Sequence, residues 1–335
     1  MIRDEALAAA LPVLAHEFRI GEVRAYRYLA EGLMNRNYRI ETAAGVYAVK
    51  EIGDVPLERV RRNLGVLPDL AAEGIPVPVA LTSESGETVV ETGGHGYCVL
   101  PWVAGSHVEG TDLPVAQAGE LGVLLGRLHE GLRHHAPGPV PEHPPISKVR
   151  PAERADEAAR ALMARLPETP FGRAAGEALS ERQELLARLG DRHPAGEEPA
   201  GPFGWTHGDF QYRNLLRDAG GDVVAIVDWD RLGVRPYAEE VARTAQVQFG
   251  VGGSFDLERI SAFVSGYRSV LALSAADLAD GVNRLWWKRL TDFWQLEFFL
   301  DRHDDTFGEM FLADEALLRW WTDRLGEVQA AYAAH

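Results

Sequence analysis

A carboxylate for acid–base work and two oxygen ligands for a metal can be picked out of two short segments. These are Thr206-His207-Gly208-Asp209-Phe210-Gln211-Tyr212-Arg213-Asn214 and Ile226-Val227-Asp228-Trp229-Asp230. Asp209 and Asn214 stand five residues apart after a His-Gly turn, which suits one loop that both orients a hydroxyl nucleophile and holds a metal. Asp228 lies fourteen residues after Asn214 and follows the apolar run Val223–Val227, so it sits where a short strand ends. Phosphoryl transfer needs these parts: an Asp to orient the attacking hydroxyl, and hard oxygen ligands for Mg²⁺ bridging nucleotide phosphates. A lone His-Gly-Asp is an ordinary surface turn. Both motifs, in this order and at this spacing, point to a phosphotransfer site with Asp209 catalytic and Asn214 and Asp228 on the metal.

Upstream elements must position those groups. Three β-like runs, Val23–Tyr28, Asn37–Thr42 and Val46–Lys50, are separated by turn residues (Gly32 and Asn35, then Ala44-Gly45) and predict an antiparallel sheet. The first turn, with its single glycine, excludes a Walker-type phosphate loop. Lys50 ends the third run, where a lysine either reaches phosphates or guards a strand end. A helix is expected from about Asp54-Val55-Pro56, with Asp as cap and Pro in the first turn, up to Gly74-Ile75-Pro76. The apolar run Tyr97-Cys98-Val99-Leu100 enters Pro101 and closes at Gly105, which suits either a hinge between two lobes or a plain buried strand.

Beyond residue 104 the pattern is mainly helical. Val115–His129 carries apolar residues at helical spacing with small glycines for close packing, and His129 reads as a core residue. Residues 152–189 read as one or two amphipathic helices between two Pro- and Gly-rich connections. Trp287, Trp294 and Phe298 fall at seven- and four-residue intervals, one helix face, and read as core packing rather than an aromatic box for a cationic headgroup. The acidic group Asp301, Asp304, Asp305 and Glu309, with His303 in the same loop, reads as a solvated helix end.

Composition excludes more than it identifies. The 335 residues are 46% hydrophobic, enough for a sizeable core, and contain no apolar run long enough for a membrane helix and no signal-like start. A net charge of −16 argues against a nucleic-acid surface and is compatible with a cationic or polar small substrate. The single cysteine, Cys98, excludes an internal disulfide or a cysteine-built zinc site and fits a reducing cytoplasm. Oligomeric state is not legible.

HGDxxxxN followed by an apolar strand and DWD resembles the motif pair of the aminoglycoside phosphotransferase/choline kinase superfamily, over about residues 20–270. The resemblance implies a bilobal, protein-kinase-like α+β fold, with a small antiparallel-sheet lobe (residues 1–103) for nucleotide and a larger, mainly helical lobe (104–335) for catalysis and acceptor. It implies ATP and Mg²⁺ as cofactors and a hydroxyl of an amino alcohol, sugar or aminoglycoside-like molecule as acceptor. Asp209 would be the base, Asn214 and Asp228 the metal ligands, and His207 a loop-fixing residue; Asp230 would serve the metal or the loop. Lys50 would pair with the α- and β-phosphates, Asn35 would lie in the turn over them, and adenine would dock on the Pro101 carbonyl and the Val103 N–H. Such kinases hold the strand lysine with a helix glutamate; here that position falls on Asn63, which leaves Asn63, Glu58 or Glu51 as candidates. Val103–Glu109 and the helix ending at His129 look close to the homoserine kinase type II-like branch. A nucleotide-binding pseudokinase acting as a regulatory module is the reading from another class.

Overall fold

Period-two alternation in the N-terminal runs becomes a five-stranded antiparallel sheet in the computed structural model, which describes residues 5–29, 35–53, 55–146, 149–194, 198–302 and 304–333. The expectations at Gly32, Asp54 and His303 lie outside the described residues. The strands are β1 (Val23–Leu29), β2 (Arg36–Thr42), β3 (Val46–Ile52), β4 (Val90–Thr92) and β5 (His95–Pro101), in the order β1-β2-β3-β5-β4. Alternate residues decide the two faces. Tyr38, Ile40, Val49, Tyr97 and Val99 are fully buried against Leu7, Leu11 and Leu14 of helix α1 (Glu5–Glu17). The other face carries the cross-strand partners Asn37, Lys50 and Cys98, with Arg39, Ala48 and Leu100 one pair further along.

The single helix expected after β3 is two: α2 (Leu57–Gly65) and α3 (Leu67–Ala72). Pro68 lies in the first turn of α3. Lacking an N–H, it cannot continue the hydrogen-bond ladder of α2, so the chain breaks at Val66. The strands of the motif segments follow much later: β6 (Phe203–Thr206), β7 (Leu215–Arg217) and β8 (Val223–Ile226), with β7 and β8 antiparallel in the register Leu215↔Ile226 and Leu216↔Ala225. Residues 1–108, 127–140 and 205–233 form one compact unit, so the sheet and both motifs belong together. Within it, Ile226 N–H donates to the Pro76 carbonyl at 2.7 Å. Ser106 and Arg217 exchange backbone bonds of 2.9 Å, and an added Cβ on Gly105 would stand 3.0 Å from the Arg217 carbonyl. Glycine lets the two chains approach this closely without a shift, where a larger residue would push its neighbour aside.

Residues 109–126, 141–204 and 234–335 form the second unit, almost entirely helical. It contains α5 (Ala152–Met163), α6 (Pro170–Leu189), α7 (Tyr237–Phe249), α8 (Leu257–Arg268), α9 (Ala275–Thr291), α10 (Trp294–Arg302) and α11 (Asp305–Asp323). The helix expected over Val115–His129 is found as α4 (Val115–His134), and its Gly122 packs on α8 so tightly that a Cβ would fall 1.9 Å from the Phe263 carbonyl.

The expected single aromatic face does not form, because the helix stops at Thr291 and restarts at Trp294. Arg182 sits at this break and donates to the Asp292 carbonyl at 2.6 Å while pairing with Glu315. Trp286 and Trp287 are fully buried, whereas Trp294, Phe298 and Phe307 form a separate ring cluster with centroids 5.4–5.9 Å apart. Both groups are packing. Asp301, Asp304, Asp305 and Glu309 are exposed, and Asp304 caps α11. Among the described residues no helix is long and apolar enough to cross a membrane.

Candidate active site

The loop from His207 to Asn214 is held by its own polar side chains. Gly208 has φ +81°, a turn that L side chains resist, and it lets His207 and Asp209 face each other. The Asp209 N–H donates to His207 Nδ1 at 3.3 Å, which assigns the proton to Nε2 and lets it donate to the Val227 carbonyl at 3.2 Å. The buried His207 ring also meets Trp229 edge-on at 4.7 Å. One imidazole therefore ties the Asp209 loop to the residue before Asp228.

Asn214 makes the second tie. Its Nδ2 donates to the Asp209 carbonyl at 2.8 Å and to Asp209 Oδ2 at 3.1 Å, while its own carbonyl accepts from Val227 N–H at 2.9 Å. Gln211 Nε2 donates to the same Oδ2 at 2.9 Å. These bonds fix the Asp209 carboxylate plane and commit the amide nitrogen of Asn214 inward, so its Oδ1 is the atom it can offer a cation.

Asp228 occupies the left-handed region at φ 63° and ψ 73°, a conformation costly for a residue with a Cβ. Its side chain keeps 42% exposure, and Oδ1 lies 2.8 Å from Lys50 Nζ. Asp230 Oδ2 lies 2.7 Å from the same nitrogen. Asn35 Nδ2 donates to Asp230 Oδ2 at 2.7 Å, and Asn35 Oδ1 accepts from Gly53 N–H at 3.1 Å. Burial alone would lower the Lys50 pKa, but Asp228 and Asp230 overcome it and hold the ammonium above its ordinary value. Burial likewise pushes the Asp228 carboxyl up, and the Lys50 charge and hydrogen bond, with His207 and the Asp230 backbone, bring it below the usual carboxylate range.

None of the three residues weighed as the Lys50 partner contacts it. Glu51 alternates to the other face of β3 and bonds Arg36 and His95, both at 3.3 Å. Glu58 is exposed on α2. Asn63, buried on α2, donates to the Trp229 carbonyl at 2.7 Å and accepts from Arg62 at 2.7 and 3.1 Å. Arg62 reaches the Leu232 carbonyl at 3.4 Å and lies over the Trp205 ring at 4.8 Å. Sequence reasoning singled out Asn63 only for the glutamate it lacks. The usable signal was an amide at a core-facing helical position beside Val60 and Leu64.

Pro101 pairs with Tyr47 at the exposed end of β5, and Trp102 N–H donates to the Val46 carbonyl at 3.1 Å, which leaves Val103 just beyond the sheet edge. Lys50, Asn35, Asp209, Asn214, Asp228, Pro101 and Val103 all lie in the one unit.

The donor set fits a hard divalent cation: a carboxylate oxygen from Asp228 and an amide oxygen from Asn214, which the Val227–Asn214 backbone bond brings onto neighbouring segments. Among the described residues no cluster of three or more His, Cys, Asp or Glu forms a metal cage. Two protein oxygens, with phosphate and water completing the shell, is how Mg²⁺ is commonly held beside a nucleotide.

The model of the APH phosphotransferase enzyme family matches residues 25–273. The chain belongs to that family. Its fold is the α+β, protein-kinase-like fold. The homoserine kinase of Pseudomonas aeruginosa is 29% identical over 220 residues, 63% of this chain and 61% of that protein, so the match spans about three fifths of the relative. Among solved structures, spectinomycin phosphotransferase with ADP and spectinomycin superposes with TM-score 0.67 at 14% identity, covering 98% of both chains. A microcompartment-associated aminopropanol kinase superposes with TM-score 0.64 at 17% identity, over 98% of this chain and 99% of that one.

Proposed function

We propose that this phosphotransferase moves the γ-phosphoryl group of ATP, with Mg²⁺, to a hydroxyl of a small amino alcohol, sugar or aminoglycoside-like acceptor. The reading is carried by the 2.8 Å contact between Lys50 Nζ and Asp228 Oδ1, which joins the third strand to the Asp228 loop, itself tied to Asp209 through Val227 and Asn214.

Asp209 orients the acceptor hydroxyl and takes its proton as the acceptor oxygen bonds to phosphorus and the bond to the β-phosphate oxygen breaks, releasing ADP. The Asn214 and Gln211 amides hold that carboxylate in one plane, so one oxygen faces the hydroxyl without reorganising. Asn214 Oδ1 and Asp228 would hold Mg²⁺, which would supply charge neutralisation at the phosphates. Lys50 lies along the α- and β-phosphates, Asn35 supports the turn beside them, and the Pro101 carbonyl and Val103 N–H receive the adenine edge. In this reading residues 1–103 are the nucleotide lobe and 104–335 the catalytic and acceptor lobe.

Homoserine, aminopropanol and spectinomycin, the molecules named for the related proteins, each carry an amine and a hydroxyl, which supports an amine-bearing acceptor. A net charge of −16 favours a cation over an anion. A sole, buried cysteine fits the reducing cytoplasm, where ATP is abundant.

The test is Mg²⁺-dependent ADP release over homoserine, aminopropanol, choline, ethanolamine, simple sugars and aminoglycosides. At least one acceptor is expected to raise ADP release above background, with Asp209→Ala lowering kcat by roughly 10²–10⁴-fold. Turnover that survives Asp209→Ala removes Asp209 as the base. ATP binding with a silent panel favours the regulatory pseudokinase.

A further inference from the structure

The two carboxylates of the Asp228-Trp229-Asp230 segment are not equivalent. Asp228 projects from a left-handed backbone and keeps 42% of its side chain exposed. Asp230 keeps 11%, and a single oxygen, Oδ2, takes both the Lys50 ammonium and the Asn35 amide at 2.7 Å each. Asn35 in turn accepts from Gly53 N–H, one residue past the end of β3. Asp230 therefore ties together the start of β2, the end of β3 and the Asp228 loop.

Its own backbone is held from the other side. Asn63 Nδ2 donates to the Trp229 carbonyl at 2.7 Å and approaches the Asp230 carbonyl at 3.5 Å. Position 63 on α2 thus carries an amide that grips the loop backbone and leaves Lys50 to the carboxylates of the loop. A lysine ammonium on a four-carbon stem has many rotamers, and a fixed anion is what narrows them. Here the fixed anion that leaves Asp228 exposed for other work is Asp230.

We propose that Asp230, held in place by Asn35, is the positioning residue for Lys50 and leaves metal ligation to Asp228 and Asn214. The proposal deepens the nucleotide reading of Lys50 given above and rests on it. A ligand role for Asp230 is the competing assignment, and the two differ in how they depend on the cation. A residue that orients Lys50 matters to the nucleotide phosphates whether or not Mg²⁺ is present. A residue that binds Mg²⁺ matters only when it is.

The experiment is calorimetric titration of the full chain with ATP in EDTA and again in excess Mg²⁺, for wild type, Asp230→Ala, Asp230→Asn and Asn35→Ala. Thermal melts confirm that each variant is folded. Asp230→Ala is expected to weaken ATP about tenfold in both conditions. Asp230→Asn retains an acceptor oxygen for Lys50 and Asn35 and should recover part of that loss. Asn35→Ala should weaken binding a few-fold, and combining it with Asp230→Ala should add little, because both act through one oxygen. Where an acceptor is turned over, the loss should appear in the KM for ATP and leave the acceptor KM unchanged. A loss seen only with Mg²⁺ overturns the proposal in favour of a metal ligand. Unchanged affinity in both conditions, in a folded Asp230→Ala protein, overturns it outright. Affinity is read without turnover, so absence of kinase activity refutes the reaction assignment and not this one.

Discussion

Asn63 offers a decisive perturbation, because two arguments predict opposite results for it. Its side chain is buried at 1% exposure, and it donates to a carbonyl of Trp229, itself 3% exposed. Asn63→Ala removes that donor and leaves a buried carbonyl unsatisfied, at a cost of about 1–3 kcal/mol. The void adds roughly 1 kcal/mol at most, since an amide is small. Arg62 loses two bonds but is exposed and keeps the Leu232 carbonyl and the Trp205 ring, so its share is small. The sum is about 1–4 kcal/mol, and an unfolding entropy of about 2.1 cal/mol/K per residue makes that a fall of roughly 1–6 °C in Tm. Asn63→Glu separates the arguments. If Lys50 merely lacked a helix carboxylate, glutamate would supply it, and stability and ATP affinity would rise. In this structure Lys50 already meets Asp228 and Asp230, and the residue at 63 faces a carbonyl, so glutamate should destabilise at least as much as alanine. Differential scanning fluorimetry with urea unfolding reads both variants. A change below about 0.5 kcal/mol in Asn63→Ala, or a gain in Asn63→Glu, refutes the reasoning.

Two further outcomes follow from the same site. The Asp228 pKa lies below its ordinary value near 3.8, so its pairing stabilises the fold above that pH and is lost only as pH falls through the lowered value; Asp228→Asn should therefore flatten the acid limb of a stability–pH curve below about pH 4, and an unchanged limb would refute the pairing. Cys98 is buried in β5 opposite Lys50, and burial raises its pKa to about 11, against the smaller pull of Lys50. At pH 8 its thiolate fraction is roughly a hundredth or less of that of a free cysteine, so native protein should alkylate with iodoacetamide at least about 100-fold slower than urea-unfolded protein, read by mass spectrometry.

What the sequence shows depends on how local the cause is. The three early strands and their face assignment follow from a period of two, and the motif pair is visible because catalytic chemistry restricts residue types at short spacing. The pairing of Lys50 with Asp228 and Asp230 is not legible: Asp228 is 178 residues away, and nothing near Lys50 or the two carboxylates encodes it. Pro68 carried the signal for the break between α2 and α3, but the apolar spacing around it reads straight through. The break after α9 is less visible still. Trp287, Trp294 and Phe298 keep helical spacing across it, and the group that satisfies the half-buried Asp292 carbonyl is Arg182, more than a hundred residues earlier in the chain.

The supports around Asp228 make sense together once its backbone is considered. A non-glycine residue in the left-handed region costs on the order of 1–3 kcal/mol and persists only where its surroundings over-determine it. Four bonds do so here: His207 to the Val227 carbonyl, Val227 N–H to Asn214, the Trp229 indole to the Ile226 carbonyl at 3.0 Å, and Asn63 to the Trp229 carbonyl. Each grips a neighbour of Asp228, and none uses its carboxylate. The loop is thus held from both sides by its backbone, which leaves that carboxylate to Lys50 on one oxygen and to whatever the exposed portion meets. Replacing Asp228 by glycine should relieve the backbone cost while removing the carboxylate. Asp228→Gly should therefore be more stable than Asp228→Ala, which loses the same carboxylate but keeps the backbone cost, and both should impair ATP handling; a glycine variant no more stable than the alanine variant would refute the strain.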